Sequence, residues 1–92
     1  MGKYIVELGN RAKEEIIAHY KSGNLSNIKK IKKILIELSD TPYSGTGKPE
    51  ALKHELSGFW SRRINQKDRL IYKVSEQIVT VLIVSAMGHY EK

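Results

Sequence analysis

Residues 77–87 read Gln77-Ile78-Val79-Thr80-Val81-Leu82-Ile83-Val84-Ser85-Ala86-Met87, the most apolar and most β-branched run in the chain. Side chains branched at Cβ suit a pleated, packed surface better than a helix. A strand apolar on both faces belongs inside a sheet rather than at its edge. Interrupted by Thr80 and Ser85, the run is far too short to cross a bilayer. Working back from it, residues 69–74 and 59–64 read as two further strands, with turns at 75–77 and 65–68. Residues 50–56 are expected to form another strand, followed by the turn residues Ser57 and Gly58. Residues 40–49 (DTPYSGTGKP) carry two Gly and two Pro and read as a loop.

Before that loop the period changes. Leu25, Ile28, Ile31, Leu35 and Leu38 form an apolar stripe at helical spacing, with Lys29, Lys30, Lys32 and Lys33 over much of the remaining surface. Gly23 separates this helix from an earlier one, which Asn10 can cap and which carries Ala12, Ile16, His19 and Tyr20 along one side. Residues 3–8 alternate and read as a short strand. The expected fold is α+β in the order β-α-α-β-β-β-β, with two helices on one face of a mostly antiparallel sheet. Such a sheet leaves its other face free for polar side chains.

Ninety-two residues suit one domain, 1–92, burying roughly 60–70% of its unfolded surface. The absence of cysteine excludes disulfide scaffolds, thiolate zinc sites and cysteine nucleophiles. The first residues lack a signal peptide's apolar run, so a cytoplasmic protein without membrane attachment is expected. Sixteen Lys or Arg against ten Asp or Glu give a net charge of +6, which calls for an anionic partner without naming one.

The loop residues Gly45-Thr46-Gly47-Lys48-Pro49 invite comparison with a phosphate-binding loop. That motif needs an earlier Gly and a Ser or Thr after the Lys, where Pro42 and Pro49 stand, so a flexible turn is the better account. His19, His54 and His89 are far apart, and the carboxylates are scattered without magnesium-type clustering, so no metal or other cofactor is expected. The strand-rich half does hold Glu50, Lys53, Arg62, Arg63, Arg69, His89 and Tyr90. A carboxylate, an imidazole and fixed cations are the groups that metal-free RNA cleavage requires: a base, an acid and charge for the transition-state phosphate.

Residues 45–54 (GTGKPEALKH) and 56–64 (LSGFWSRRI) closely resemble the signature of the YoeB (Txe) toxins, within the wider RelE-like group. Residues 68–72 (DRLIY) and the late pair His89-Tyr90 fit the same pattern, so the resemblance spans residues 41–90. It implies a microbial-ribonuclease-like fold and a toxin of a type II toxin–antitoxin pair that cuts messenger RNA in the ribosomal A site. It further implies Glu50 as general base, His89 as general acid and Arg69 as the cation on the transition-state phosphate. Lys53 and Arg63 would contact phosphate, and Tyr90 would orient or stack on the substrate. Expected partners are a YefM-like antitoxin with an acidic segment over the basic face, the 70S ribosome with its message, and a second copy of the chain. Gly88 stands where the family often has a bulkier residue, and Glu91 and Lys92 extend past the usual His-Tyr end.

Away from that resemblance the residues have plainer readings. Arg62, Lys48 and Lys67 are expected to be solvated charges, His54 to be structural, and His19 to pack or lie at the surface. Phe59, Trp60 and Tyr72 are expected in sheet packing rather than base stacking. The Lys29–Lys33 run is ordinarily a solvated helix face. Two alternatives of other classes stand beside the nuclease: a ParE-like inhibitor of DNA gyrase, and a binding module that blocks the A site without cutting.

Overall fold

The chain opens with β1 (Ile5–Leu8), whose ladder carries on to Gly9, where the backbone N–H donates to the Ile83 carbonyl at 2.8 Å. In the computed structural model, which describes residues 3–88, α1 (Asn10–Ser22) therefore starts straight after that bond. Gly9 occupies the cap position without a side-chain hydrogen bond, and Asn10, expected as the cap, is already helical. Gly23 ends the helix in the left-handed region at φ 75°, a conformation glycine adopts without strain. Asn24 then caps α2 (Leu25–Leu38), its Oδ1 accepting the Asn27 N–H at 3.1 Å.

After a long loop come β2 (Glu50–Ala51), β3 (Phe59–Arg63), β4 (Arg69–Ser75) and β5 (Thr80–Ser85). They make a five-stranded sheet of order β1-β5-β4-β3-β2, with β1 parallel to β5 and every other pair antiparallel. As its two apolar faces require, β5 lies inside the sheet. The expected strand over 50–56 is cut to two residues. Leu52 still donates to the Phe59 carbonyl at 2.9 Å, but His54 then takes φ 59° and starts a 3-10 turn, His54–Leu56.

Ala12 and Ile16 of α1 and Ile31, Ile34 and Leu38 of α2 pack on Leu70, Tyr72, Val81 and Ile83. The buried stripe of α2 thus passes through Ile34, whereas Leu25, expected to belong to it, is 68% exposed. Leu70, Tyr72 and Val74 alternate along β4 toward the helices, so Arg69, Ile71 and Lys73 project from the opposite, helix-free face.

Arg62 corrects the expectation of a solvated charge. It sits on the helix side of β3, fully buried, and every donor of its guanidinium has an acceptor. Its Nη1 pairs with Glu37 Oε1 of α2 at 2.8 Å, and its Nη2 reaches the carbonyls of Thr41 and Ser44 at 2.7 and 2.8 Å. Its Nε donates to the Tyr72 hydroxyl at 3.1 Å, which donates in turn to the Pro42 carbonyl at 2.7 Å. Glu37 also accepts the Thr46 N–H and hydroxyl at 2.7 and 2.8 Å. The loop read as a flexible turn is therefore pinned along its length. Its glycines answer to packing: a Cβ at Gly45, where φ is 127°, would stand 2.3 Å from Glu37 Oε1, and one at Gly47, where φ is 88°, would stand 2.8 Å from the Arg63 carbonyl.

Burial alone would raise the pKa of Glu37, but the Thr46 donors and the Arg62 guanidinium outweigh it and hold the carboxyl below its usual 4.5. A carboxyl lowered on folding stabilises the native state above the unfolded pKa and loses that contribution as pH falls through the folded one. Glu37→Ala, which leaves a buried cation short of its counter-charge, is expected to cost about 3 kcal/mol in urea unfolding at pH 7. Across pH 5 to 3 the wild type should lose stability faster than Glu37→Gln, because the variant lacks this titrating group.

Candidate active site

Strand pairing brings three of the sequence-predicted residues onto one face. Glu50 of β2 lies opposite Ser61 of β3, and Ser61 lies opposite Ile71 of β4. Two residues along, Arg63 lies opposite Arg69. Directly opposed residues share a face, and alternate residues along a strand do too. Glu50, Ser61, Arg63, Arg69 and Ile71 therefore project together from the helix-free face, while Arg62 between them turns inward. Glu50 is exposed, and Arg63 and Arg69 are half-buried.

Arg63 and Arg69 form a like-charged cross-strand pair, an arrangement that is unfavourable without an anion. The ion pairs among the described residues are Arg11–Glu15 and Arg62–Glu37, and neither includes Arg63 or Arg69. The Arg63 Nε and the neighbouring Ser61 Oγ are buried with no hydrogen-bond partner among the described residues. The like-charged arginine row is an arrangement that an anion such as a phosphate can relieve. Among the described residues no group of three or more His, Asp or Glu side chains could hold a metal ion.

Lys53, expected on the strand with Glu50, lies beyond it. It is exposed and precedes the 3-10 turn, because pairing with β3 ends at the Leu52 N–H. His54 opens that turn, exposed, and Lys48 and Lys67 are exposed as well. Tyr72 is buried as expected, and Trp60 is half-buried against Tyr43, with ring centroids 5.1 Å apart. His89 and Tyr90 lie outside the described residues.

The chain does lead toward His89 along a defined course. A bulge in β5 opposite Ile71 and Tyr72 sets Ser85 across from Ile71, after which Ala86 is fully buried. His19, the residue assigned to packing or surface, is buried and directs its Nε2–H at the Ala86 carbonyl, 2.8 Å away. Glu15, Asp68 and His19 all contact residues 86–88, a role not expected from the sequence for any of them. Glu15 is 71 positions from Ala86, so the only local hint was Asp68 standing beside Arg69.

The family model for the YoeB-like toxin of bacterial type II toxin–antitoxin systems matches residues 11–90. A toxin YoeB of Escherichia coli O6:H1 is 49% identical over 63 residues, which cover 68% of this chain and 73% of the relative. Among solved structures, a YoeB/ParE toxin from Agrobacterium tumefaciens superposes with a TM-score of 0.82 at 27% identity, over 94% of this chain and 99% of the other. A YoeB dimer from Staphylococcus aureus gives 0.78 at 31% identity, over 96% and 99%. The toxin in a heterotetrameric YoeB–YefM toxin–antitoxin complex from the same species gives 0.76 at 32%, over 95% and 98%.

If the arginine pair repels until an anion is bound, inorganic phosphate should raise the melting temperature of the wild type, with stabilisation growing as the logarithm of its concentration above the dissociation constant. Arg69→Gln should abolish most of that rise while leaving the protein at least as stable in phosphate-free, low-salt buffer. Differential scanning fluorimetry across a phosphate series reads both effects.

Proposed function

This chain belongs to the YoeB-like toxins of bacterial type II toxin–antitoxin systems, and from that premise we propose that it is a ribosome-dependent endoribonuclease that cuts messenger RNA in the A site. The observation that carries the reading is the exposed Glu50 carboxylate on the same helix-free face as the Arg63–Arg69 row. Glu50 takes the proton from a ribose 2′-OH, and the oxygen attacks the adjacent phosphorus. The two guanidiniums stabilise the extra charge on the five-coordinate phosphorane. His89 gives a proton to the departing 5′-oxygen, leaving a 2′,3′-cyclic phosphate and a 5′-OH. Lys53 adds a phosphate contact near the 3-10 turn, and Tyr90 orients the substrate beside His89. No step calls for a metal.

Two solved relatives supply the proposed partners. A YefM-like antitoxin would lay an acidic segment across the basic face, as electrostatic complementarity favours. A second copy of the chain is the other candidate, after the S. aureus dimer. The ribosomal substrate sets the site of action in the cytoplasm. No helix among the described residues is long and apolar enough to cross a membrane.

Glu50→Gln and His89→Gln should each slow message cleavage on programmed ribosomes by about 10²- to 10⁴-fold while melting within a few degrees of the wild type. Mapping of RNA 5′ ends in cells expressing each variant provides the readout. Translation arrest with intact messages from the wild type would favour a non-cleaving A-site block, and relaxed plasmid supercoils would favour gyrase inhibition.

A further inference from the structure

Once β5 ends at Ser85, side chains take over the work of the sheet. Glu15 Oε1 of α1 accepts the N–H groups of both Ala86 and Met87, at 2.7 and 3.1 Å. Asp68 Oδ1 accepts the N–H of Gly88 at 2.9 Å, and the Arg69 N–H donates to the Gly88 carbonyl at 3.0 Å. Three successive backbone donors thus end on two carboxylates. Each carboxylate is itself held: Glu15 by Arg11 Nε at 2.9 Å, and Asp68 by Asn65 Nδ2 at 3.1 Å. Gly88 adopts φ 75°, so the chain turns there in a conformation other side chains resist. Burial works against ionisation of both carboxyls, but the backbone donors together with Arg11 at Glu15 and Asn65 at Asp68 outweigh it and lower both pKa values, keeping the clamp charged at neutral pH.

A need to seal the core explains the grip on Ala86, which is fully buried, but not the bonds at Gly88, which lies outside the hydrophobic cluster. Those bonds tie Gly88 to the dipeptide Asp68-Arg69, and the next residue in sequence is His89. We propose that Glu15 and Asp68 are positioning residues, which fix the backbone from which the proton donor His89 departs against the strand end that carries the phosphate-binding Arg69. The clamp thereby ties Gly88, the residue before the donor in sequence, to the strand that carries the cation. This inference rests on the acid role assigned to His89 above.

The test separates acid delivery from general stability. Single-turnover cleavage is measured on ribosomes programmed with a message carrying either an ordinary phosphodiester or a 5′-bridging phosphorothiolate at the cut site. Sulfur leaves without a proton, so loss of the acid is silent on that substrate. Glu15→Ala and Asp68→Ala should slow the ordinary substrate by about 10- to 100-fold, the scale of an ångström-sized misplacement. Both should regain the wild-type rate on the sulfur substrate, and Glu15→Gln, which keeps a carbonyl acceptor, should lose little on either. Equal losses on both substrates, or no loss at all, would overturn the clamp. Should Asp68→Ala fail to fold, Glu15→Ala carries the comparison alone, and Asp68→Asn, which keeps a carbonyl acceptor for the Gly88 N–H, should behave like Glu15→Gln. His89→Gln is the control. Rescued by sulfur while the clamp variants are not, it overturns the clamp alone. Not rescued, it removes the acid assignment and the clamp with it.

Discussion

A guanidinium buried between a sheet and a helix is the constraint on which the rest of this molecule depends. Taking Arg62 out of water costs several kcal/mol unless its charge is matched and all its donors are used. The chain meets that demand with Glu37, three backbone carbonyls of the loop and the Tyr72 hydroxyl. Because the acceptors come from residues 41–46, satisfying one cation also shapes the loop that leads into Glu50. The two glycines then follow from crowding, since their Cβ positions are taken by Glu37 and by the backbone of β3.

The second organising fact is the two-residue period of a strand. In β3 the adjacent Arg62 and Arg63 are assigned to opposite faces by geometry alone. One becomes an internal tie and the other a half-buried cation beside Arg69. A shift of one residue in register would exchange them, placing an unpaired charge in the core and leaving the loop without its anchor. The structural tie and the candidate chemistry thus share a strand and fix each other's register.

The C-terminal side obeys a related logic. The bulge in β5 keeps Ser85 on the helix-free face while letting Ala86 enter the core. Beyond it the backbone donors of residues 86–88 turn to side chains, Glu15 supplying an acceptor from α1 and Asp68 one from just before β4. Helix α1 is therefore more than a lid on the core. It also holds Ala86 and Met87, which precede His89 in sequence.

Much of this was legible in the sequence, for reasons that lie in local periodicity. The β-branched run at 77–87, the helical stripe and the turn residues determined the order of elements and the interior place of β5, since backbone sterics and side-chain branching act between near neighbours. The motif residues around Glu50 and Arg69 marked the strands that carry the candidate site. Tertiary structure decided what those charges do. Nothing near Arg62 in sequence distinguishes it from Arg63; its acceptor Glu37 is 25 positions away, and Glu15 meets Ala86 across 71. Burial and hydrogen-bond partnership are properties of the packed molecule, because the energy of a charge depends on what surrounds it in space and not on what adjoins it along the chain.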